Sequence, residues 1–232
     1  MVADLSAWEN ILAKDLAHGH WYKHNNTIFC AVQKAGINSI RTATKDQKIG
    51  VRKVFQEYRQ RSSYFAALVR SPNERFRSFY VNKILLTAFR ENKSLHLDAR
   101  PKFNKKILGD TSTTPYPPET YARNLRHTSF SDGHTTPFWH TCALHKIAYD
   151  AVGDLNYPKR FENRIRRWDD KFRLPYIHSN QGKWMYRLSC TSLCALAVVY
   201  KDDFFWLQYH TGVDYLSENT RCACGSISSA TS

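Results

Sequence analysis

The chain has 232 residues with 42% hydrophobic and 14% aromatic side chains, enough apolar material for one large core and too much for a disordered chain. A mean hydropathy of -0.55 with no long apolar run excludes a spanning helix. Thirty-four Lys and Arg against 20 Asp and Glu leave a net charge of +14, which points to an anionic partner such as a glycan, a nucleic acid or a nucleotide.

The N-terminal stretch "MVADLSAWENILAKDLAHGHW" is interrupted by Asp4, Glu9, Lys14 and Asp15 and has no signal-peptide core. With Met1 as the natural start, the expected location is the cytoplasm. The first apolar run, "TIFCAV" at 27–32, reads as a buried strand and leads directly into "QKAGINSIRT". There a lysine, a small residue and a glycine precede hydroxyl and amide side chains. Such a strand exit can turn at Gly36 and aim the free N–H groups of the next helix at a phosphate. Taken alone, the stretch reads rather as an ordinary strand-to-helix connection carrying Lys34, because the full G-x-x-x-x-G-K-[ST] pattern is missing.

A second apolar run, "YFAALV" at 64–69, ends at Arg70 and is followed by "SPNERFRSFYVNKI". Ser71 suits a helix cap, Pro72 the first helical position, and Glu74 completes a capping box. Phe76, Phe79, Tyr80 and Ile84 fall on the helix's core face. Ser78 returns after about two turns to the side on which the helix starts, so Arg70 and Ser78 could hold one anion together. The plain alternative pairs Arg70 with Glu74 or a carbonyl and leaves Ser78 as packing.

Residues 93–120, with "RPKFNKK" and "DTSTTPYPPE", read as a long loop. Helices are expected over 118–127, 158–170 and 189–208, and a third strand over "IAYDAVG" at 147–153. Strands alternating with helices predict an α/β chain: a central parallel sheet flanked by helices, in a single domain over 1–221 with a flexible tail from 222. The six cysteines lack paired zinc spacing; Cys30 reads as a small buried hydrophobe, Cys190 and Cys194 as helix packing, and the tail as frayed.

The paired strand exits and several segments downstream of them resemble the carbohydrate sulfotransferases that include the chondroitin, dermatan and heparan enzymes. "CAVQKAGINS" is similar to their 5′-phosphosulfate loop and "VRSPNERFRSFYVNK" to their 3′-phosphate motif, an arginine followed eight residues later by serine. "HTTPFWHTCALHKIAYDAVGDL", "HSNQG" at 178–182 and "YKDDFFWLQY" at 200–209 resemble later family segments, so the likeness runs from about residue 26 to 209. Departures are Gln33 for the usual proline, Asn38 at the usual hydroxyl position with Ser39 next, Asn156 for a common acidic residue, and no tryptophan directly after His134.

The resemblance implies a P-loop-like sulfotransferase fold. It also implies transfer of a sulfuryl group from 3′-phosphoadenosine 5′-phosphosulfate (PAPS) to a hydroxyl acceptor, with no metal. Lys34, Ala35, Gly36, Ile37, Asn38 and Ser39 would hold the 5′-phosphosulfate, and Arg70 and Ser78 the 3′-phosphate. His134, placed in a loop before a strand, is the expected general base, with His96, His20 and Glu74 as fallbacks. His134, His140, Cys142 and His145 are spaced too irregularly for a zinc site. Arg100, Lys102, Lys105 and Lys106 are expected to contact the acceptor, an anionic or neutral glycan and not a nucleic acid. Many family members work in the Golgi lumen, which is the expected location if the sequence is a trimmed domain. The alternatives are a basic glycan- or nucleic-acid-binding module with a degenerate sulfotransferase-like fold, and a nucleotide kinase of related fold.

Overall fold

In the computed structural model, which describes residues 19–85, 100–127, 133–175, 186–222 and 224, the apolar runs form a four-stranded sheet in the order β1-β2-β3-β4. The strands are β1 (His20–His24), β2 (Thr27–Ala31), β3 (Tyr64–Val69) and β4 (Ala151–Asp154). β2, β3 and β4 run parallel, whereas β1 returns antiparallel along β2, opposite Cys30 at Trp21. The sheet is therefore mixed and not purely parallel. "HWYKH" gives no apolar run because it is an edge strand, with Lys23 and His24 only partly covered.

Both faces of the parallel strands are buried, which is why β2 and β3 read as continuous apolar runs. Ile28, Cys30, Phe65, Ala67 and Val69 point into the larger core cluster, with Phe76, Phe79, Tyr80, Ile84, Phe103 and Phe138. Phe29, Ala31, Ala66 and Leu68 point the other way, onto Ile40, Phe161, Ile165 and Phe172. The helices of the site are α1 (Ile37–Ala43), α2 (Val51–Gln60) and α3 (Pro72–Phe79), the last continuing as a π-helical stretch over Tyr80–Leu85. Next come α4 (Arg100–Leu108), α5 (Pro118–Asn124), α6 (Phe138–Thr141), α7 (Pro158–Ile165), α8 (Cys190–Val199), α9 (Lys201–Thr211) and α10 (Ser217–Thr220).

Several expectations are corrected. The strand expected over 147–153 begins only at Ala151, since Ile147 is part of a turn closed by its N–H on the Ala143 carbonyl. The loop expected over 93–120 contains α4, whose Phe103 and Ile107 are buried against the core. The helix expected over 158–170 ends at Ile165, and the one over 189–208 is two helices meeting at Tyr200. No strand directly follows His134; a turn leads into α6 instead. Ser71 caps α3 without a side-chain bond, so there is no capping box, and Glu74 turns to Arg70.

Cys30 is buried and Cys190 and Cys194 are helical as expected, and they are also covalently paired. Cys30 is bonded to Cys142, Cys190 to Cys222 and Cys194 to Cys224, so the tail at 222 and 224 is held against α8. Spacing could not reveal this, because pairing depends on which elements the fold brings together. Among the described residues no helix is long and apolar enough to cross a membrane.

α7 packs so closely on β4 that a Cβ on Gly153 would lie 2.4 Å from the Phe161 side chain. Gly153→Ala is therefore expected to destabilise the fold by about 1–3 kcal/mol, as overpacking does, read as a lower urea midpoint with an unchanged slope.

Candidate functional site

The parallel register aligns the strand ends: Ala31 lies opposite Leu68, and Val69 opposite Asp154. The exits of β2, β3 and β4 therefore share one edge, where ligands of open α/β sheets bind. After β2 the chain turns through two left-handed residues, Lys34 at φ 66° and Gly36 at φ 81°. Gly36 is required twice over, since a Cβ there would also sit 2.7 Å from Leu68 Cδ2. The turn buries Ala35, leaves Lys34 half-buried and starts α1 at Ile37. Of the two candidates for the hydroxyl position, Asn38 is exposed and Ser39 is buried at 6% exposure.

Arg70 follows β3 directly. Its Nη1 donates to the Lys34 carbonyl at 3.4 Å, and its Nε donates to Glu74 Oε2 at 3.3 Å. The same carboxylate oxygen accepts from Asn156 Nδ2 at 3.0 Å, so Asn156 helps hold the partner of Arg70. Lys34 and Arg70, 36 positions apart, are thus brought together. Ser78 lies in the last turn of α3, where its carbonyl accepts from Asn82 Nδ2 at 2.7 Å.

His134 stands between the rings of Phe79 and Phe103, with centroids at 6.3 and 5.7 Å. Burial, then the charges of Lys34, Lys83, Arg75 and Lys102, push its imidazole down to about 3. Burial, Lys83 and Arg70 likewise pull the Lys34 ammonium down to about 8. The neighbours that act on these two groups are all cations, so the strand exits, α3, the π-helical stretch and α4 surround one strongly electropositive place.

Two members of this cluster were not anticipated from the sequence. Lys83 lies in the π-helical stretch and is half-buried there. Arg75 is a buried cation, 2% exposed, whose Nε donates to the Gln33 carbonyl at 3.3 Å and whose Nη2 donates to the Gly133 carbonyl at 2.9 Å. Its guanidinium also lies 4.6 Å over the Phe138 ring. The available signal was a second arginine, one residue after Glu74 and next to the core residue Phe76.

Of the residues expected to meet the acceptor, Lys102 acts on His134 from α4, while Lys105 and Lys106 are exposed on the same helix and Arg100 is its first residue. Among the fallback bases, Glu74 is engaged by Arg70, and His20 Nε2 lies 3.4 Å from Gln33 Nε2. His96 and the "HSNQG" segment lie outside the described residues. Cys142 is spent in a disulfide, and no group of three or more metal-ligating side chains occurs among the described residues.

The turn that carries His134 is held from behind. Asp203 accepts the N–H groups of Phe138 and Trp139, each at 2.8 Å, capping α6, and the Tyr200 hydroxyl donates to the Thr135 carbonyl at 2.6 Å. Burial raises Asp203 to about 6, opposed by these two N–H groups.

Comparison of the chain with protein-family models, curated proteins and solved structures finds no match.

His134 gives a signed pH dependence. Its folded value lies below the ordinary 6.5, so its neutral form contributes stability that is present above pH 6.5 and lost as pH falls toward 3. His134→Gln is expected to flatten the acid limb of the stability curve over that window, measured by urea unfolding at stepped pH. For Arg75, Arg75→Lys is expected to cost about 1.5–3 kcal/mol in the same measurement, because a lysine cannot reach both carbonyls with a planar fork.

Proposed function

We propose that this chain is a sulfotransferase that moves a sulfuryl group from PAPS to a hydroxyl of a carbohydrate acceptor. The observation that carries the reading is the cluster of cations at the shared edge of three parallel strands, where Lys34, Arg70, Arg75, Lys83 and Lys102 converge around His134. A donor set of this kind fits a polyanion. A nucleotide with phosphate at both the 3′ and 5′ positions matches the two strand exits, which carry Lys34 and Arg70 in sequence patterns resembling the family's two motifs.

In this reading Lys34 and the N–H groups at the start of α1 bind the 5′-phosphosulfate, and Arg70 and Ser78 bind the 3′-phosphate. Glu74 and Asn156 orient Arg70. The acceptor oxygen attacks sulfur in line, the bond from sulfur to the 5′-phosphate oxygen breaks, and Lys34 balances the charge that develops on the leaving phosphate. His134 takes the proton from the acceptor hydroxyl. It is neutral at pH 7, as a base must be, and the arriving negative charge offsets the cations that depress its proton affinity. Lys102, on the His134 side of the cluster, lies on the acceptor's path together with Arg100, Lys105 and Lys106.

The disulfides bear on where this takes place. Three pairings use all six cysteines, a pattern of chains that fold in an oxidising compartment, so we place the activity in the secretory lumen and not in the cytoplasm.

Adenosine 3′,5′-bisphosphate, the product nucleotide, is the binding probe. Lys34→Ala or Arg70→Ala is expected to weaken its affinity at least about tenfold by calorimetry, the loss of one charge-assisted contact. His134→Ala should keep binding and lose transfer of labelled sulfate to a glycan panel. Unchanged affinity in both cation variants would overturn the site, and affinity for any polyanion with equal salt dependence would show a plain electrostatic module instead. Because binding requires the protonated ammonium, affinity should hold below pH 8 and fall above it as Lys34 loses its proton.

A further inference from the structure

β4 ends at Asp154 on the edge of the strand exits, and α7 follows it from Pro158. Phe161 and Ile165 seat α7 in the core opposite the one that holds Phe79 and Phe103, so it lies across the sheet from His134. The charges of α7 and the turn after it are sorted by sign. Glu162 Oε2 accepts the Leu174 N–H at 2.9 Å, and Asp169, 7% exposed, accepts from Asn25 Nδ2 at 3.1 Å and lies 2.7 Å from His24 Nδ1. Lys159, Arg160, Arg164, Arg166 and Arg167 are all exposed; with Asn163 they make up the whole solvent side of the helix and its last turn. Lys171 and Arg173 extend this surface, and Asp170 is the one exposed acid between 158 and 173. Among the described residues none of these cations is in an ion pair.

A helix face that is merely solvated interleaves opposite charges at three- and four-residue spacing. Here Arg160, Arg164 and Arg167 set like charges at that spacing, a repulsion that a bound anion relieves. Two of the arginines are already held: the Arg160 guanidinium lies 4.8 Å over the Tyr157 ring, and Arg164 Nη1 donates to the Val152 carbonyl at 3.0 Å. From Lys159 to Arg166 the row is about 10 Å long, more than one phosphate or sulfate needs and suited to successive anionic groups of a linear polymer. The solvent side of α7 carries no apolar residue that could enter a bilayer, since Phe161 and Ile165 are spent in the core. The three disulfides belong to an oxidising compartment, which excludes nucleic acid and the anionic cytoplasmic lipid leaflet. The linear polyanions of such a compartment are acidic polysaccharides.

We propose that the solvent side of α7 and the turn after it bind a linear acidic polysaccharide through its anionic groups, at a surface separate from the strand exits. Binding there needs neither nucleotide nor turnover, so it stands apart from the transfer reaction.

Calorimetry of the full chain with a heparin oligosaccharide of defined length tests this. The K159Q/R166Q/R167Q/K171Q variant changes exposed side chains that make no hydrogen bond or ion pair among the described residues. It is expected to bind at least about tenfold more weakly and with a shallower dependence on salt, because fewer counterions are released. R52Q/K53Q/R123Q/K201Q removes the same charge from exposed positions on α2, α5 and α9, helices of the opposite face, and is expected to change affinity less than about threefold, since distant exposed charges are screened. Affinity for adenosine 3′,5′-bisphosphate should be unchanged in the α7 variant, so this surface and the strand-exit site are read separately. Equal losses in the two variants would show an effect of net charge alone and overturn the proposal. So would unchanged heparin affinity in the α7 variant, tighter binding of a single-stranded DNA of the same charge, or binding confined to phosphatidylserine vesicles.

Discussion

The buried guanidinium of Arg75 is the constraint on which the site depends. Its Nε and Nη2 donate to carbonyls on two different connections, Gln33 beside Lys34 and Gly133 beside His134. Those connections are 100 positions apart in sequence and meet because one planar fork serves both. Phe138 covers the fork from its face, and the charge of Arg75 is among those that lower the proton affinity of the buried Asp203, so the arginine and α9 support the same turn from two sides. The Cys30–Cys142 disulfide runs parallel to this link, joining β2 to the residue after α6. One covalent and one charged connection thus fix the lysine exit relative to the histidine turn.

Holding that geometry has an electrostatic cost. Lys34 is pulled to about 8 and His134 to about 3, each first by burial and then by neighbouring cations, so the cluster disfavours its own protonated forms. Folding tolerates this because the supporting contacts are satisfied elsewhere: Arg70 on Glu74, Asp203 on two backbone N–H groups, Tyr200 on Thr135. In the proposed function an incoming anion relieves this repulsion. Side chains already positioned for an anion need little reorganisation when one arrives, which is where an arrangement of this kind gains its binding free energy.

The parts of the fold legible in the sequence are those where a single physical requirement dominates. β2 and β3 are covered on both faces, so their apolar runs could be read directly, and the cations at their exits followed from the positions of Lys34 and Arg70. β1 escaped because an edge strand needs little apolar surface. α4 escaped because its lysine-rich exterior hides the two buried positions Phe103 and Ile107. Arg75 could not be found by pattern, since a charged residue is assigned to solvent unless its partners are known, and those partners are backbone carbonyls that only the fold supplies. Lys83 was lost for a different reason: four residues after Phe79 it lies half-buried on the core side, but a lysine is assigned to solvent unless its neighbours are known.

The cysteines show how a correct local reading can miss a long-range one. Cys30 is indeed a fully buried residue in an apolar strand, yet its sulfur is bonded across a separation of 112 residues. Cys190 and Cys194, one helical turn apart on α8, do lie on one face, and that face meets two cysteines of the tail. Those two links hold α10 where Asn219 accepts from Asn73 Nδ2 at 2.6 Å and Glu218 accepts from Arg77 Nη2 at 2.7 Å, both donors belonging to α3. α3 is also the helix that begins after Arg70 and carries Arg75. The C-terminal disulfides therefore act on the site through α3 and the Cys30–Cys142 bond acts on it through β2, so all three covalent links converge on the elements that hold the cations in place.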